Sequence, residues 1–276
     1  MSKSQGYVLL VVTAACWSLN GVIIKLADMS ALNIAFYRSS IAAVFLMPFA
    51  LRRREPLNRG SLEMAGAYAG TVILLVLATK ATTAANAIFL HYTAPLFVFL
   101  IGIPLLGERP TGRDWKGLGL AMAGVLCIVL GGGEADRLGV GFGLASGLSF
   151  GTLIVLLRRY SARNPLWIAF GNNLVVGLLL LPWIGGEIWI SSRDLLLMLV
   201  MGIVQLGLPY VLFGLAIRQV NAREASLISL LEPLLNPIWV FFLVGEIPSW
   251  ETRLGGGIIF AGLLLRFGVG MKRRRR

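Results

Sequence analysis

Ten apolar runs, each close to the length of a bilayer-spanning helix, occupy most of this 276-residue chain. They cover residues 6–27, 32–51, 61–79, 84–106, 115–131, 139–157, 166–184, 195–217, 222–244 and 251–269. A helix needs about 20 predominantly apolar residues to cross the hydrocarbon layer. In lipid its backbone groups must be bonded internally, which leaves helices or closed barrels as the spanning forms. The runs predict an all-α membrane protein of ten transmembrane helices joined by short loops. Charged residues make up 14% of the chain, against about 25% in an ordinary soluble domain. A large extramembrane domain is therefore excluded.

The first run follows Lys3 and contains Ala14-Ala15-Cys16, which mimics a lipoprotein signal. Its apolar stretch continues through Ile24, past the roughly 7–15 residues of a signal peptide, so an uncleaved first helix is expected. Cys16 and Cys127 both fall inside apolar runs and suggest no disulfide. The single histidine, His91, offers no zinc spacing. No metal and no cofactor are expected.

The net charge of +12 could point to nucleic acid, but that needs a basic face on a folded domain. Here the basic residues lie between apolar segments, where Lys and Arg mark the cytoplasmic side. Of 25 basic residues, nineteen fall on one face: Lys3; Arg52, Arg53, Arg54 and Arg59; Arg109, Arg113 and Lys116; Arg158, Arg159 and Arg163; Arg218 and Arg223; and Arg266 with residues 272–276. Five fall on the other, one per loop: Lys25, Lys80, Arg137, Arg193 and Arg253. Arg38 remains, inside the second run. The alternation predicts a multi-pass protein of a bacterial inner (plasma) membrane with both termini in the cytoplasm. Trp115, Trp183 and Trp250 near run ends fit an interfacial belt.

The chain also repeats itself. Gly107-Glu108-Arg109-Pro110 recurs as Gly245-Glu246-Ile247-Pro248, an offset of 138, and at that offset Pro95 matches Pro233, Gly117 Gly255, Gly119 Gly257 and Gly124 Gly262. Earlier in each half, Ile34-Ala35-Phe36 matches Ile168-Ala169-Phe170 and Pro48 matches Pro182, at an offset of 134. Two repeats are expected, residues 1–131 and 139–276. Five helices per half is an odd number, so the halves must be inverted, an arrangement found in secondary transporters with sites near the midplane.

Each half resembles the EamA domain of the drug/metabolite transporter superfamily. Trp17-Ser18, Lys25, Phe36-Tyr37-Arg38 and Ala42-Ala43 look like that domain's opening. Pro95 with Leu105-Leu106-Gly107-Glu108, and Glu232-Pro233 with Gly245-Glu246, look like its close. The second copy departs from the pattern: Asn172 stands where Arg38 stands, and Gly151 replaces Trp17. The resemblance implies an alternating-access exporter with a central cavity lined mainly by helices 1–4 and 6–9. Within the family the chain is most similar to YddG-type exporters of aromatic and other amino acids. The implied partners are a small-molecule substrate, an amino acid or similar metabolite, and the lipid bilayer. A monomer without nucleic acid is expected.

Polar groups at membrane depth are costly and usually face a cavity or a partner. Arg38 could bind a carboxylate bidentately, or reach outward or pair with a carbonyl. Glu232, a deep carboxylate, could carry a coupling proton or be a neutral, hydrogen-bonded helix residue. His91 and Tyr92 in the fourth run are substrate-site candidates, as are Asn20, Asn172, Asn173, Gln205, Tyr210 and Asn236. Any of these could instead join helices, at about 0.6 kcal/mol per bond. Trp17, Phe36, Tyr37 and Trp167 could line a pocket for apolar or aromatic groups or pack ordinarily. Pro95 and Pro233 free the carbonyls of His91 and Ser229, making them paired hinges or static kinks, and Pro237 could loosen the ninth helix further. An enzyme is disfavoured because His91 has no obvious base or metal partner and the loops are too short to build a site. A channel is disfavoured for want of selectivity-filter signals. The rival within transport is an exporter of drugs or another metabolite class.

The topology carries its own prediction. A reporter active only in the periplasm, fused after Arg276, is expected to be silent, and activity there would overturn the count of ten.

Overall fold

The computed structural model describes residues 2–106, 111–131, 137–160, 163–184, 190–216, 219–220, 225 and 228–268. The tetrapeptide 107–110, Arg218, Arg223 and the tail 272–276 lie outside them. Ten spans are seen among the described residues: α1 (Lys3–Leu26), α2 (Ala31–Arg53), α3 (Arg59–Ala81), α4 (Ala84–His91, then Ala94–Leu106), α5 (Gly112–Gly131), α6 (Arg137–Arg159), α7 (Pro165–Trp183), α8 (Ser192–Ala216), α9 (Leu231–Val244) and α10 (Trp250–Gly268). Seven of them are long and apolar enough to cross a membrane on those grounds alone; α5 and α9 carry shorter apolar stretches. Side-chain caps set several starts. Ser30, Asn58, Thr83, Asn164 and Ser191 each accept a bond from a first-turn N–H of α2, α3, α4, α7 and α8, satisfying donors that the helix itself cannot.

The sequence predicts bends only at the prolines of the fourth and ninth helices, and four spans are interrupted. The first turns at Leu19, separating Lys3–Ser18 from Asn20–Leu26. The fourth opens at Tyr92–Thr93, two residues before Pro95, and the ninth at Leu230, three before Pro233. Proline has no N–H, and its ring collides with the carbonyl four residues back. In α8, residues Val200–Gly207 widen into π-helix, the Leu208 N–H bonding the Ile203 carbonyl five residues back. Pro209 follows immediately, where an ordinary turn would meet its ring. Glu232, expected near mid-helix, thus sits in the first turn of α9 after a break.

The repeated glycines meet across the pseudo-two-fold axis. A Cβ added to Gly124 of α5 would strike the Gly255 carbonyl of α10, and one added to Gly262 of α10 would lie 2.8 Å from the Gly117 carbonyl of α5. Gly119 and Gly257, also matched in sequence, both face open space. Small residues let backbones approach where lipid supplies no hydrophobic drive.

Elsewhere the symmetry is broken. On α6, Gly143, Gly147 and Gly151 face α4: added Cβ atoms would come within 2.9 Å of the Leu90 side chain, 2.6 Å of Thr93 Oγ1 and 2.7 Å of the Phe97 side chain, respectively. The matching positions of α1, at the offset of 134, are Leu9, Thr13 and Trp17. Bulk on α1 replaces the close backbone approach that α6 gives α4. At Gly245, φ is 79°, and this left-handed residue ends α9 with its N–H on the Val240 and Phe241 carbonyls. The turn, which suits glycine, directs Glu246 back towards α1 and α4.

Two glycines of α6 give opposite expectations. Gly141→Ala, facing open space, is expected to leave thermal stability unchanged or raise it, since alanine favours helix by about 1 kcal/mol. Gly147→Ala is expected to lower the melting temperature, because its Cβ would also lie 2.8 Å from the Leu90 carbonyl. Melting curves of detergent-purified variants check both; equal curves would mean that α6 does not need this close approach.

Candidate functional site

At the break in α1, polar side chains from other spans gather on the backbone carbonyls of Trp17 and Ser18. Gln205 Nε2, in the π turn of α8, donates to the Trp17 carbonyl at 3.2 Å. Asn236 Nδ2 of α9 donates to the Ser18 carbonyl at 3.0 Å. The Ser18 hydroxyl accepts from Trp239 Nε1 at 2.9 Å and donates to the Ala15 carbonyl at 2.7 Å. Just beyond the break, Asn20 Oδ1 accepts from Arg38 Nη1 at 2.9 Å. One turn of α1 is thus held by α2, α8 and α9.

Arg38 is 3% exposed. Its Nε has no hydrogen-bond partner, and at this burial the side chain does not reach outward. Tyr68, Tyr210, Glu232 and His91 lie within its electrostatic reach. Tyr68 donates to Asn173 Oδ1 at 3.0 Å and lies close to Tyr210. Tyr68 is a residue that sequence reasoning missed, although a phenol in the middle of an apolar run was the available signal. Asn173 Nδ2 is turned to the Ala169 carbonyl at 2.9 Å. Asn172 beside it is buried.

Tyr92 links the two proline breaks. Its hydroxyl donates to Glu232 Oε2 at 2.8 Å and lies 3.4 Å from the Ser229 carbonyl, the group that Pro233 frees. His91 is held differently. The Ser146 hydroxyl donates to the Thr71 carbonyl at 3.0 Å, so it accepts from His91 Nδ1 at 2.9 Å. The imidazole stacks on Phe150, centroids 4.7 Å apart and 15° between planes. His91 therefore ties α4 to α6 and α3. Ser146 had no signal in the sequence, since serine is common in membrane helices that pack closely.

The aromatic residues do not form one wall. Trp17 contacts Tyr210 (6.3 Å) and Phe213 (5.7 Å) beside the α1 break. Phe36 and Tyr37 pair edge to face at 5.1 Å against the core that includes Ile34 and Tyr68. Trp167 pairs with Phe170 near the start of α7. The structure brings together Trp17, Asn20, Arg38, Gln205, Tyr210 and Asn236, with Tyr92 and Glu232 adjoining; Phe36, Tyr37 and Trp167 pack in their own pairs.

Both ends of the bundle are tied. On the face where α1 begins, Arg163 pairs with Glu55 at 3.3 Å and Tyr160 donates to Glu63 at 3.0 Å. On the opposite face Lys25 pairs with Glu246 at 2.8 Å and donates to the Thr82 carbonyl at 2.8 Å. Glu246 Oε1 accepts from the Ala84 N–H at 2.7 Å, at the first turn of α4, where the helix dipole favours an anion. Among the described residues no group of three His, Cys, Asp or Glu side chains could hold a metal.

Comparison with known proteins agrees with this architecture. An uncharacterized transporter of Archaeoglobus fulgidus is 27% identical over 267 residues, covering 94% of this chain and 95% of its own. A probable terminal-alkyne amino-acid exporter of Streptantibioticus cattleyicolor is 24% identical over 282 residues, covering 96% and 94%. A solved crystal structure aligns over 96% of this chain and 97% of its own, with a TM-score of 0.67 and 19% identity, which shows the shared fold. The EamA-like transporter family matches residues 4–130 and again 137–268. With both halves matched, this ten-helix membrane protein belongs to the EamA-like transporter family, a family of transporters rather than enzymes.

Proposed function

We propose that the chain is an inner-membrane exporter of amino acids, aromatic ones included, that works by alternating access with both termini in the cytoplasm. The observation that carries this reading is Arg38, a buried guanidinium held by one hydrogen bond to Asn20 while its Nε stays unpartnered. A buried cation without a full set of acceptors is destabilising unless something fills the gap. A substrate carboxylate meets a guanidinium in planar, paired geometry. Trp17 and Tyr210 beside it offer an apolar, aromatic surface for a side chain. Asn20, Tyr37, His91, Tyr92, Asn172 and Gln205 complete the proposed lining, with Tyr37 and His91 acting from their own packing positions. The amino-acid exporter among the relatives supports the same substrate class.

Counterflow in proteoliposomes with neutral and aromatic amino acids, sugars and cationic dyes tests the substrate class. Exchange of at least one amino acid is expected. Background rates across the amino acids with movement of a dye would favour the rival drug exporter. Arg38→Gln is expected to lower amino-acid affinity about 10–100-fold, the equivalent of a charge-assisted bond of about 1.5–3 kcal/mol, while folded protein remains in the membrane. Arg38→Lys keeps the charge and should recover part of the loss. Wild-type rates for Arg38→Gln would leave the arginine a structural residue.

Pro95 and Pro233 belong to the same proposal as paired hinges. Both stand just after a break, at positions matched between inverted halves, so α4 and α9 can bend at symmetry-related points as one half rocks against the other. Pro233→Ala is expected to slow turnover while leaving substrate affinity near normal and the protein monodisperse. Unchanged turnover would make the proline architectural. Glu232 is the candidate for a coupled proton, and Tyr92 is its hydrogen-bond donor.

A further inference from the structure

Three of the interrupted spans are broken in a common sense. Beyond each break, towards the face away from the start of α1, lies a short half-helix: Asn20–Leu26 of α1, Ala84–His91 of α4 and Leu231–Val244 of α9. These three pack on one another. Val22, Ala84 and Val240 form a buried apolar cluster, with Leu26, Trp239 and Val244 around it. A Cβ added to Gly21 would lie 2.7 Å from Asn236 Oδ1 and 3.1 Å from the Ala84 side chain. The Lys25–Glu246 pair closes over this layer, about one turn beyond Val22 on α1.

Other bonds at this face sort the helices into two groups. Lys80 Nζ of α3 donates to the Ala27 carbonyl at 2.7 Å, and Asp194 Oδ1 of α8 accepts from the Asp28 N–H at 3.0 Å. The turn from α1 to α2 is thus fixed to α3 and α8. On the other side, Asn86 Oδ1 of α4 accepts from Thr252 Oγ1 of α10 at 2.6 Å. Lys25 bridges the groups, since its partner Glu246 ends α9 and also holds the Ala84 N–H of α4. The two side chains of the pair are 19% and 18% exposed. A partly exposed ion pair contributes modestly, and water takes over its charges once it parts. Parting a fully buried pair would strand both charges. The contact is therefore of a kind that can open and close repeatedly.

We propose that Lys25, Glu246 and the Ala84 N–H form the latch of a gate at this face, and that Val22, Ala84 and Val240 are its apolar seal. The inference rests on the alternating-access reading above and names the contact that must part. Opening separates Lys25 from Glu246 and from the Thr82 carbonyl, and the half-helices turn at Leu19, at Tyr92–Thr93 and at Leu230. Asn236 and Trp239 hold α9 on Ser18 at the level of the α1 break, so the bend falls there and the outer ends move most. At the opposite face Arg163 pairs with Glu55 between the loops that follow α6 and α2. Neither partner belongs to the latch, so one face can open while the other stays closed. With both termini in the cytoplasm, the latch lies on the periplasmic side.

Cysteine labelling of the full-length protein in membrane vesicles of both orientations tests the gate, with Cys16 and Cys127 replaced by alanine. Val240→Cys, within the seal, reports opening to an impermeant maleimide added outside the vesicles. Ile128→Cys, equally buried where α5 meets α10, reports that the protein is folded. Glu246→Gln and Lys25→Met are each expected to speed labelling of Val240→Cys about fivefold or more in right-side-out vesicles, with Ile128→Cys unchanged. Unchanged labelling of Val240→Cys in both variants overturns the gate. If both positions accelerate alike, the variants are unfolding, and salt decides with the latch unsubstituted. At 1 M ionic strength charges are screened beyond about 3 Å, so labelling of Val240→Cys alone should accelerate, and no change overturns the gate. Acceleration in inside-out vesicles alone supports the latch and overturns the proposed topology. Acceleration in both orientations at once means a continuous pore and overturns alternating access together with the gate. Labelling needs no substrate, so failure of every amino acid to exchange overturns the substrate class while faster labelling in the variants still supports the latch.

Discussion

Everything near the midplane of this bundle depends on how the carbonyls freed by broken helices are satisfied. In hydrocarbon there is no water to take over a lost backbone bond, and each unsatisfied group costs several kcal/mol. Non-helical backbone survives at that depth only where protein groups or a polar cavity supply partners. At Leu19 the partners are two amides from α8 and α9; at Ser229 the nearby partner is the Tyr92 hydroxyl of α4. The polar side chains are there because the breaks need them. They also leave buried atoms without a hydrogen-bond partner, among them Arg38 Nε, Gln205 Oε1 and Asn236 Oδ1.

The inverted repeat gives the protein two nearly equivalent halves, and function requires that they not be equivalent. The glycines of α5 and α10 keep the symmetry, each helix approaching the other's backbone at matched positions. Helices α1 and α6 abandon it. Glycine at 143, 147 and 151 lets α4 press against α6 at its break, while Leu9, Thr13 and Trp17 put side chains at the matching points of α1. Arg38 likewise has Asn172 as its counterpart. The charge and the bulk both fall on the first half, so a single polar turn forms on α1.

The closure of the two ends follows from the loops. Gly245, in the left-handed conformation, ends α9 and turns Glu246 onto Lys25 and the first N–H of α4. Spans α1, α4 and α9 are thereby tied at one face by a single carboxylate. The opposite face is tied through Arg163, Glu55, Tyr160 and Glu63, from the loops and ends of α2, α3, α6 and α7. These are different helices, so the two faces can be held independently.

The ten spans and the repeat were legible in the sequence because membrane burial is written residue by residue. A helix in lipid satisfies its own backbone, so length and hydropathy suffice to find it. The proline breaks in α4 and α9 were legible too, since the missing N–H is local. The break at Leu19 was not, for no residue there forbids a helix; it exists because Gln205, Asn236 and Trp239 arrive from more than 180 residues away to bind the carbonyls and the serine hydroxyl. Arg38 and Glu232 were visible as deep charges, but not which groups they would meet. Tyr68 was passed over, and the sequence did not show that His91, a lone titratable group there, would bond Ser146 of α6. Sequence determined which segments lie in the membrane, because that depends on each segment's own chemistry. Tertiary structure alone decided which polar atoms are left without a partner, because a vacancy is a property of everything that surrounds it.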